Sequence, residues 1–406
     1  MSRSLIFQLL LVSLSLPALA GSQLDGRLYL SKEKYVAGEP VYLVFEVENK
    51  GTQPVTIKTA DPLSFCGGYA LEVEGAKPQE SFWSFGCYGG VGGSCISGSE
   101  VLKAGARHID RILLNQTYDL RRPGTYSLRV SHELPYGTGD GDLTMLSPGD
   151  THETFDAQLN IVLESSQDSE LKPEFQTYLL GLRSDDSRRR TEAANVIADL
   201  APPFLEGTIL QMLDSPDLKY YGVRGLHNLG TPTAHQALVS FVRNSQTTRE
   251  TGAYQDAIRY LGQMGDHTDL AMLLRVARAN LPDSSSRELA MESAGEVGGD
   301  DAVPLLVAEL KDPSIDVKQS AVRALYLTGS INAVPVLIEL LRSTEERVSW
   351  TAEFGLQVLT HRSATTPNSG VTPATTYAKW NQWWNTHRDS VTIFKYDQCG
   401  DIVPLE

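Results

Sequence analysis

Long apolar runs, basic charge and cysteine are all scarce in this chain of 406 residues, and each scarcity excludes a class of function. The N-terminal apolar stretch from Leu5 to Leu16 is stopped by Pro17, and no later stretch approaches the roughly 20 apolar residues that a membrane-crossing helix needs. Membrane insertion is not expected. Lys and Arg number 35 against 50 Asp and Glu, a formal charge of −15. Nucleic acid and anionic lipid are bound largely by Lys and Arg that neutralise phosphates, so neither is an expected partner. Catalytic signatures are missing too: there is no Gly-x-Ser-x-Gly elbow, no His-Glu-x-x-His, no phosphate-binding loop and no dinucleotide fingerprint. Ser31-Lys-Glu-Lys34 fits Ser-x-x-Lys without its companion motifs. The expectation is a non-enzymatic chain with no catalytic residues, no cofactor and no metal, although His108, His132 and His152 fall close enough in sequence for a metal trio to be asked about.

What is present begins with an address. Arg3, the apolar stretch after it and Ala18-Leu-Ala20 have the layout of a secretory signal peptide over residues 1–20. No cysteine stands beside the cleavage site to carry a lipid, so a secreted or periplasmic chain starting near Gly21 is expected. Cys66, Cys87, Cys95 and Cys399 are then an even set in an oxidising compartment, and disulfides are their expected state. None has Cys-x-x-Cys spacing. A bridge within 66–95 is favoured, in the form Cys66 to Cys87, with Cys399 either joined to the remaining loop cysteine or free.

From residue 21 to 164 the apolar pattern has period two. Val41, Leu43, Phe45 and Val47 alternate with residues that turn acidic at Glu46 and Glu48, and the run stops at Asn49-Lys-Gly51. Similar segments run over 28–30, 55–57, 69–74, 108–114, 125–133 and 155–163, and seven short strands suggest a two-sheet sandwich. Asp119-Leu-Arg-Arg-Pro-Gly-Thr-Tyr126, with Gly38-Glu-Pro-Val41 and the turn at 48–51, resembles the immunoglobulin-like or fibronectin-like accessory domains of bacteria. That resemblance implies a tyrosine hydroxyl tied back to the corner backbone. It is similar in outline to some secreted proteinase inhibitors, which makes inhibition of a secreted peptidase the alternative function, though no reactive loop can be matched. The segment 75–98 is long for a strand connection and carries Phe82, Trp83, Phe85 and Tyr88 between its cysteines. Such a loop is a candidate partner-binding tip, or else a segment whose rings tuck inward. Asn115-Gln-Thr117 matches a glycosylation acceptor.

Residues 164–172 are polar, and 165–172 is expected to be a linker. Beyond it a unit of about thirty-three residues repeats. Asp217, Lys219, Val223, Arg224, Leu226 and Gly230 return as Asp316, Lys318, Val322, Arg323, Leu325 and Gly329, each shifted by 99. A period of this size means stacked pairs of helices, each unit burying its apolar face on its neighbours. Six units are expected over 173–360, starting near 173, 202, 231, 266, 299 and 330. Glycines at 230, 265, 298 and 329 mark the ends of second helices, and prolines at 202, 232, 304 and 335 the starts of first helices. Arg188, Arg189 and Arg190 form a basic run, read as a solvated helix face or a local anion spot.

The best-formed unit, with Pro-x-Leu at 304–306, Asp-Pro at 312–313 and Asp-Val-Lys-x-x-Ala-Val-Arg-Ala-Leu over 316–325, resembles HEAT repeats of the short type shared with phycobilisome lyase-like proteins. The resemblance implies an armadillo-like α-α superhelix that binds a protein or peptide. After 361 the chain is rich in Ser, Thr and Pro, and then Tyr377, Trp380, Trp383 and Trp384 stand at helical spacing. A face with three tryptophans has to be buried, so a capping helix over the last unit is expected. The whole is a multidomain β and α chain: an immunoglobulin-like β-sandwich, a helical solenoid and a C-terminal cap within 361–406. The expected role is protein–protein interaction, with the solenoid surface and the 75–98 loop as the places to look.

Overall fold

In the computed structural model, which describes residues 23–59, 68–78, 98–138, 151–165, 167–245, 251–279, 284–362, 373–396 and 402–405, strands form in all seven N-terminal segments where the apolar alternation predicts them and in four short ones besides. They are β1 (Leu24–Leu30), β2 (Tyr35–Val36), β3 (Tyr42–Asn49), β4 (Val55–Thr59), β5 (Tyr69–Glu74), β6 (Lys77–Pro78), β7 (Gly98–Leu102), β8 (Arg107–Leu113), β9 (Tyr118–Asp119), β10 (Gly124–Thr138) and β11 (Thr151–Glu164). One sheet has the order β1-β3-β8. The other runs β2-β11-β10-β4-β7, with β5 also paired to β10. The two sheets share one core: Leu43, Phe45 and Val47 of the first meet Val55, Leu71, Leu128, Val130 and Ile161 of the second. Phe45 sits 5.2 Å from Phe155 across the sandwich, ring centre to ring centre.

The expected tyrosine corner is present. The Tyr126 hydroxyl donates to the Arg122 carbonyl at 2.9 Å, closing the turn that feeds β10. Other features depart from expectation. β10 and β11 form one long hairpin, paired from Gly124↔Leu163 to Tyr136↔Thr151, because β10 serves β5 with its first half and β4 with its end. Within the segment expected to be a loop over 75–98, Lys77–Pro78 pairs with Tyr118–Asp119 and Gly98 already belongs to β7. Asn115 is buried, its amide oxygen accepting from Val41 N–H at 2.7 Å and its NH₂ donating to the Glu39 carbonyl. That amide is part of the fold and is not offered for glycosylation.

Helices follow almost at once. The residues expected to be a linker begin α1 (Asp168–Gly181), because Gln167 and Glu170 form a reciprocal capping box. Then come α2 (Ser187–Leu200), α3 (Glu206–Met212), α4 (Lys219–Leu229), α5 (Pro232–Asn244), α6 (Thr251–Met264), α7 (Leu270–Arg278), α8 (Ser284–Glu309), α9 (Ile315–Leu327), α10 (Ala333–Leu340), α11 (Glu346–Thr360) and α12 (Pro373–His387). α8 is two helices run together across Gly299, whose φ of 49° and ψ of −135° are not helical. The helices therefore group into six pairs followed by α12. The left-handed turn expected at Gly298 falls one residue later; Gly298 itself is packed against Leu270 and Ala302.

Second helices of successive pairs stack directly. A methyl group at Gly295 would lie 2.3 Å from the Ala324 carbonyl oxygen, and one at Gly355 would lie 2.7 Å from the Tyr326 ring. Second helices therefore lie side by side along one face of the stack, here called the inner face. One continuous core runs from Phe175 to Trp380. Trp380 is buried, Trp383 and Trp384 partly so, and all three belong to that core. The last segment makes a hairpin of β12 (Phe394–Tyr396) and β13 (Ile402–Pro404). Phe394 stacks on His361 at the end of α11. No helix among the described residues is long and apolar enough to cross a membrane.

Candidate functional site

Two surfaces combine accessibility with unusual chemistry. The first is the inner face of the second helices, which carries arginines paired between units and, on α4 and α11, exposed aromatic rings. Arg224 of α4 reaches back to Asp199 of α2 at 3.0 Å and donates to Asn195, both buried. Arg323 of α9 likewise reaches Glu288 at 3.0 Å and Glu292 of α8. Arg347 of α11 reaches Asp316 at 2.7 Å, and Arg190 of α2 reaches Asp217 at 2.8 Å. Acid and base thus alternate from unit to unit and stitch the stack together. Between them Glu296 is open to solvent but crowded by protein; that crowding, with the adjacent Glu292, pushes its carboxyl up to about 7, and Arg259 offsets only part. Large apolar side chains stand out on the same helices: Tyr220 is 44% exposed, Phe354 47% and Trp350 73%.

The second surface is a cleft of about 790 Å³ between the sandwich and the first helical pair. Its floor is a pair of hydroxyls, Tyr42 of β3 and Tyr178 of α1, 3.3 Å apart. Beside them Lys32 holds Glu39 at 3.0 Å and Glu174 of α1 at 3.1 Å, which fixes the helix on the sheet. On the sandwich wall His108 is held between two carboxylates, Nδ1 2.7 Å from Glu100 and Nε2 2.8 Å from Asp110. Tyr69 donates to the other Asp110 oxygen at 3.0 Å. Burial opposes a charge on His108, yet its bonds to Asp110 and Glu100 outweigh that and raise its pKa above the ordinary 6.5. The helical wall carries Arg188, Arg189 and Glu192.

The cysteines 66, 87, 95 and 399 and the rings of Phe82, Trp83, Phe85 and Tyr88 lie outside the described residues, as does the segment 1–20. The three histidines do not converge on one point, although His108 and His132 both lie near Asp110. His132 is buried, stacked at 3.8 Å on Tyr69, and burial lowers its pKa to about 4. His108 has both nitrogens occupied by carboxylates, and His152 is exposed opposite Pro135. Among the described residues no group of three His, Cys, Asp or Glu is placed to hold a metal. In the basic run, Arg190 is used between units and Arg188 pairs with Glu192 four residues on, at 3.1 Å. Sequence reading missed Trp350 and Phe354. Their copies 99 residues earlier are Thr251 and Gln255, so an aromatic at a polar position of the repeat was the available signal.

The helical pairs, the turn glycines and the inter-unit ladder all obey one repeat rule, and the family model for HEAT repeats matches residues 276–357. That stretch is a HEAT array. Solved structures similar to the chain include an engineered protein (21% identity, covering 45% of this chain and 95% of that one, TM-score 0.31). Others are the complex of CpcE and CpcF of phycocyanin lyase from Nostoc sp. PCC7120 (16%, 52% and 82%, TM-score 0.29) and trypsin-activated alpha-2-macroglobulin from Escherichia coli (11%, 95% and 30%, TM-score 0.19). Comparison with curated proteins gives no match.

Proposed function

We propose that this chain is a non-enzymatic interaction scaffold of the secreted or periplasmic space, and that a protein or peptide partner lies along the inner face of the HEAT array. The observation that carries the proposal is the exposure of Tyr220, Phe354 and Trp350 on second helices whose arginines, Arg224 and Arg347, are tied into inter-unit pairs. Rigid aromatic rings beside charged groups are the residue types that dominate binding energy at interfaces. Export is supported by the signal-like residues 1–20.

Crosslinking of the full chain in its native envelope, with wild type beside Trp350→Ser combined with Phe354→Ser, tests the docking face. Partner capture should fall at least tenfold in the variant while its melting temperature holds; equal capture overturns the assignment of this face. Mature protein starting at Gly21 is the outcome expected of N-terminal sequencing. The peptidase-inhibitor alternative is tested in the same preparation by a panel of secreted peptidases, and unchanged activity at micromolar chain removes it.

A further inference from the structure

The interdomain cleft holds an open sheet edge. β8 ends its sheet, and the hydrogen bonds at its two ends show which way its backbone groups point. Asn49 N–H donates to the Ala106 carbonyl and Leu114 N–H donates to the Val41 carbonyl. Bonded and non-bonded pairs alternate in an antiparallel ladder. With the register Tyr42↔Leu113 constant through Glu48↔Arg107, residues 108, 110 and 112 bond to β3, and residues 107, 109 and 111 turn their N–H and C=O groups outward. No described strand takes up that edge. Natural proteins usually blunt such an edge with a bulge, a proline or a cover, because it is a template for another strand. Here it is instead left beside an open volume and carries Ile109, 54% exposed.

The charge beside the edge is also particular. In a chain of net charge −15, the cleft gathers Arg111, Arg188 and Arg189. Arg111 lies over the Tyr42 ring at 5.4 Å, and neither it nor Arg189 has a carboxylate partner among the described residues. The nearby acids are partly answered: Glu100 and Asp110 share the one imidazole of His108, and Glu192 pairs with Arg188.

We propose that the cleft is a second binding site, distinct from the inner helix face, which takes an extended acidic peptide segment of a partner protein as an added strand on the outer edge of β8. Its backbone pairs with Ile109 and Arg111, its apolar side chains cover Ile109, and its carboxylates meet Arg111 and Arg189. Strand addition of this kind draws affinity from main-chain hydrogen bonds and selectivity from alternate side chains.

The test uses the full chain and two synthetic peptides, one repeating valine-threonine-glutamate-threonine and one with lysine in place of glutamate, so that valine and charge share the face turned to Ile109 and Arg111, each also made with N-methylated backbone. Fluorescence anisotropy should show the valine–glutamate peptide binding at least tenfold more tightly than the lysine peptide, and N-methylation should abolish binding. Hydrogen exchange should slow at the Ile109 and Arg111 amides on its addition. Ile109→Pro deletes an outward N–H that the β3 ladder does not use, so the sandwich should keep its melting temperature and lose the peptide at least tenfold. Arg111→Glu with Arg189→Glu should invert the preference between the two peptides, a readout that stands if the proline variant misfolds. Absence of binding by the valine–glutamate peptide at millimolar concentration, or binding undisturbed by N-methylation, overturns the proposal. So does a concentration-dependent dimer that protects the same amides without peptide, because the edge would then serve a second copy of the chain.

Discussion

The second and fifth helical pairs carry the same arginine in two different surroundings. Arg224 and Arg323 stand 99 residues apart, and each reaches back to acids on the preceding second helix. The Arg224 side chain is 7% exposed and that of Arg323 28%. The difference lies in the neighbours. Arg224 is packed by the rings of Tyr220 and Tyr221, at 5.8 and 5.4 Å, whereas the corresponding residues beside Arg323 are Gln319 and Ser320. Two aromatic side chains remove water from one ion pair, and two small polar ones leave it at the other. A repeat thus conserves the direction of an interaction while its flanking residues set the dielectric, and with it the energy. The same contrast recurs one turn on, where His227 stacks on Tyr260 at 4.2 Å and its counterpart, Tyr326, packs edge-on against Phe354.

The comparison predicts a graded series. Arg224→Met, which strands Asp199 without its cation, should lower unfolding stability by about 3–5 kcal/mol. A loss below about 1 kcal/mol in chemical denaturation would show that the pair is wetter than its burial implies. Asp199→Leu in the same chain should recover much of the loss, since an empty pair can be replaced by apolar volume.

Next comes pH. Burial holds the His227 pKa down at about 4, so the folded state resists a proton that the unfolded chain accepts below 6.5. Stability from this group is present above 6.5 and falls as pH drops towards 4, by about 3 kcal/mol. His227→Tyr, which copies the fifth pair, should remove that part of the acid loss; His132, also lowered to about 4, keeps its own. Asp199 acts in the opposite sense. Pushed up to about 6 by burial, with Arg224 offsetting part, it keeps a proton in the folded state that the unfolded chain has released. Its contribution therefore weakens as pH rises from about 4 to 6, and denaturation curves of Asp199→Asn should lack that slope.

Arg323→Met should cost only about 1 kcal/mol, because solvent screens the half-exposed pair, and the loss should shrink in high salt. Smallest of all, Arg347→Met breaks the exposed contact to Asp316 and should leave the thermal midpoint unchanged at physiological ionic strength. A large shift there would mean that the exposed ladder, and not the core, sets the cohesion between units.

How much could be read beforehand follows from the range of each interaction. The strand alternation at Val41–Val47, the corner at Tyr126 and the helix-ending glycines at 230, 265 and 329 are local, and local rules found them. The start of α1 was misplaced because a capping box at Gln167 outweighed the polar character of the segment. The length of β10 was underestimated because its end, Tyr136 to Thr138, is held by β4, some eighty residues earlier, and nothing within β10 announces that partner. Trp350 and Phe354 stand where the copy 99 residues earlier has Thr251 and Gln255, so no rule for the repeat's core singled them out, and their exposure is visible only in the packed array.

By itself the sequence determined the order of parts, a β region, six helical pairs and a tryptophan-bearing cap, because periodicity of two or of about thirty-three residues is a property of the chain alone. Only the tertiary structure decided which of two equivalent arginines loses its water, that His108 is answered by Glu100 and Asp110, and that the free edge of β8 opens onto arginines of the first helical pair. These depend on residues brought together across tens of positions. Their energies are set by what else fills the same few ångströms, which no local pattern encodes.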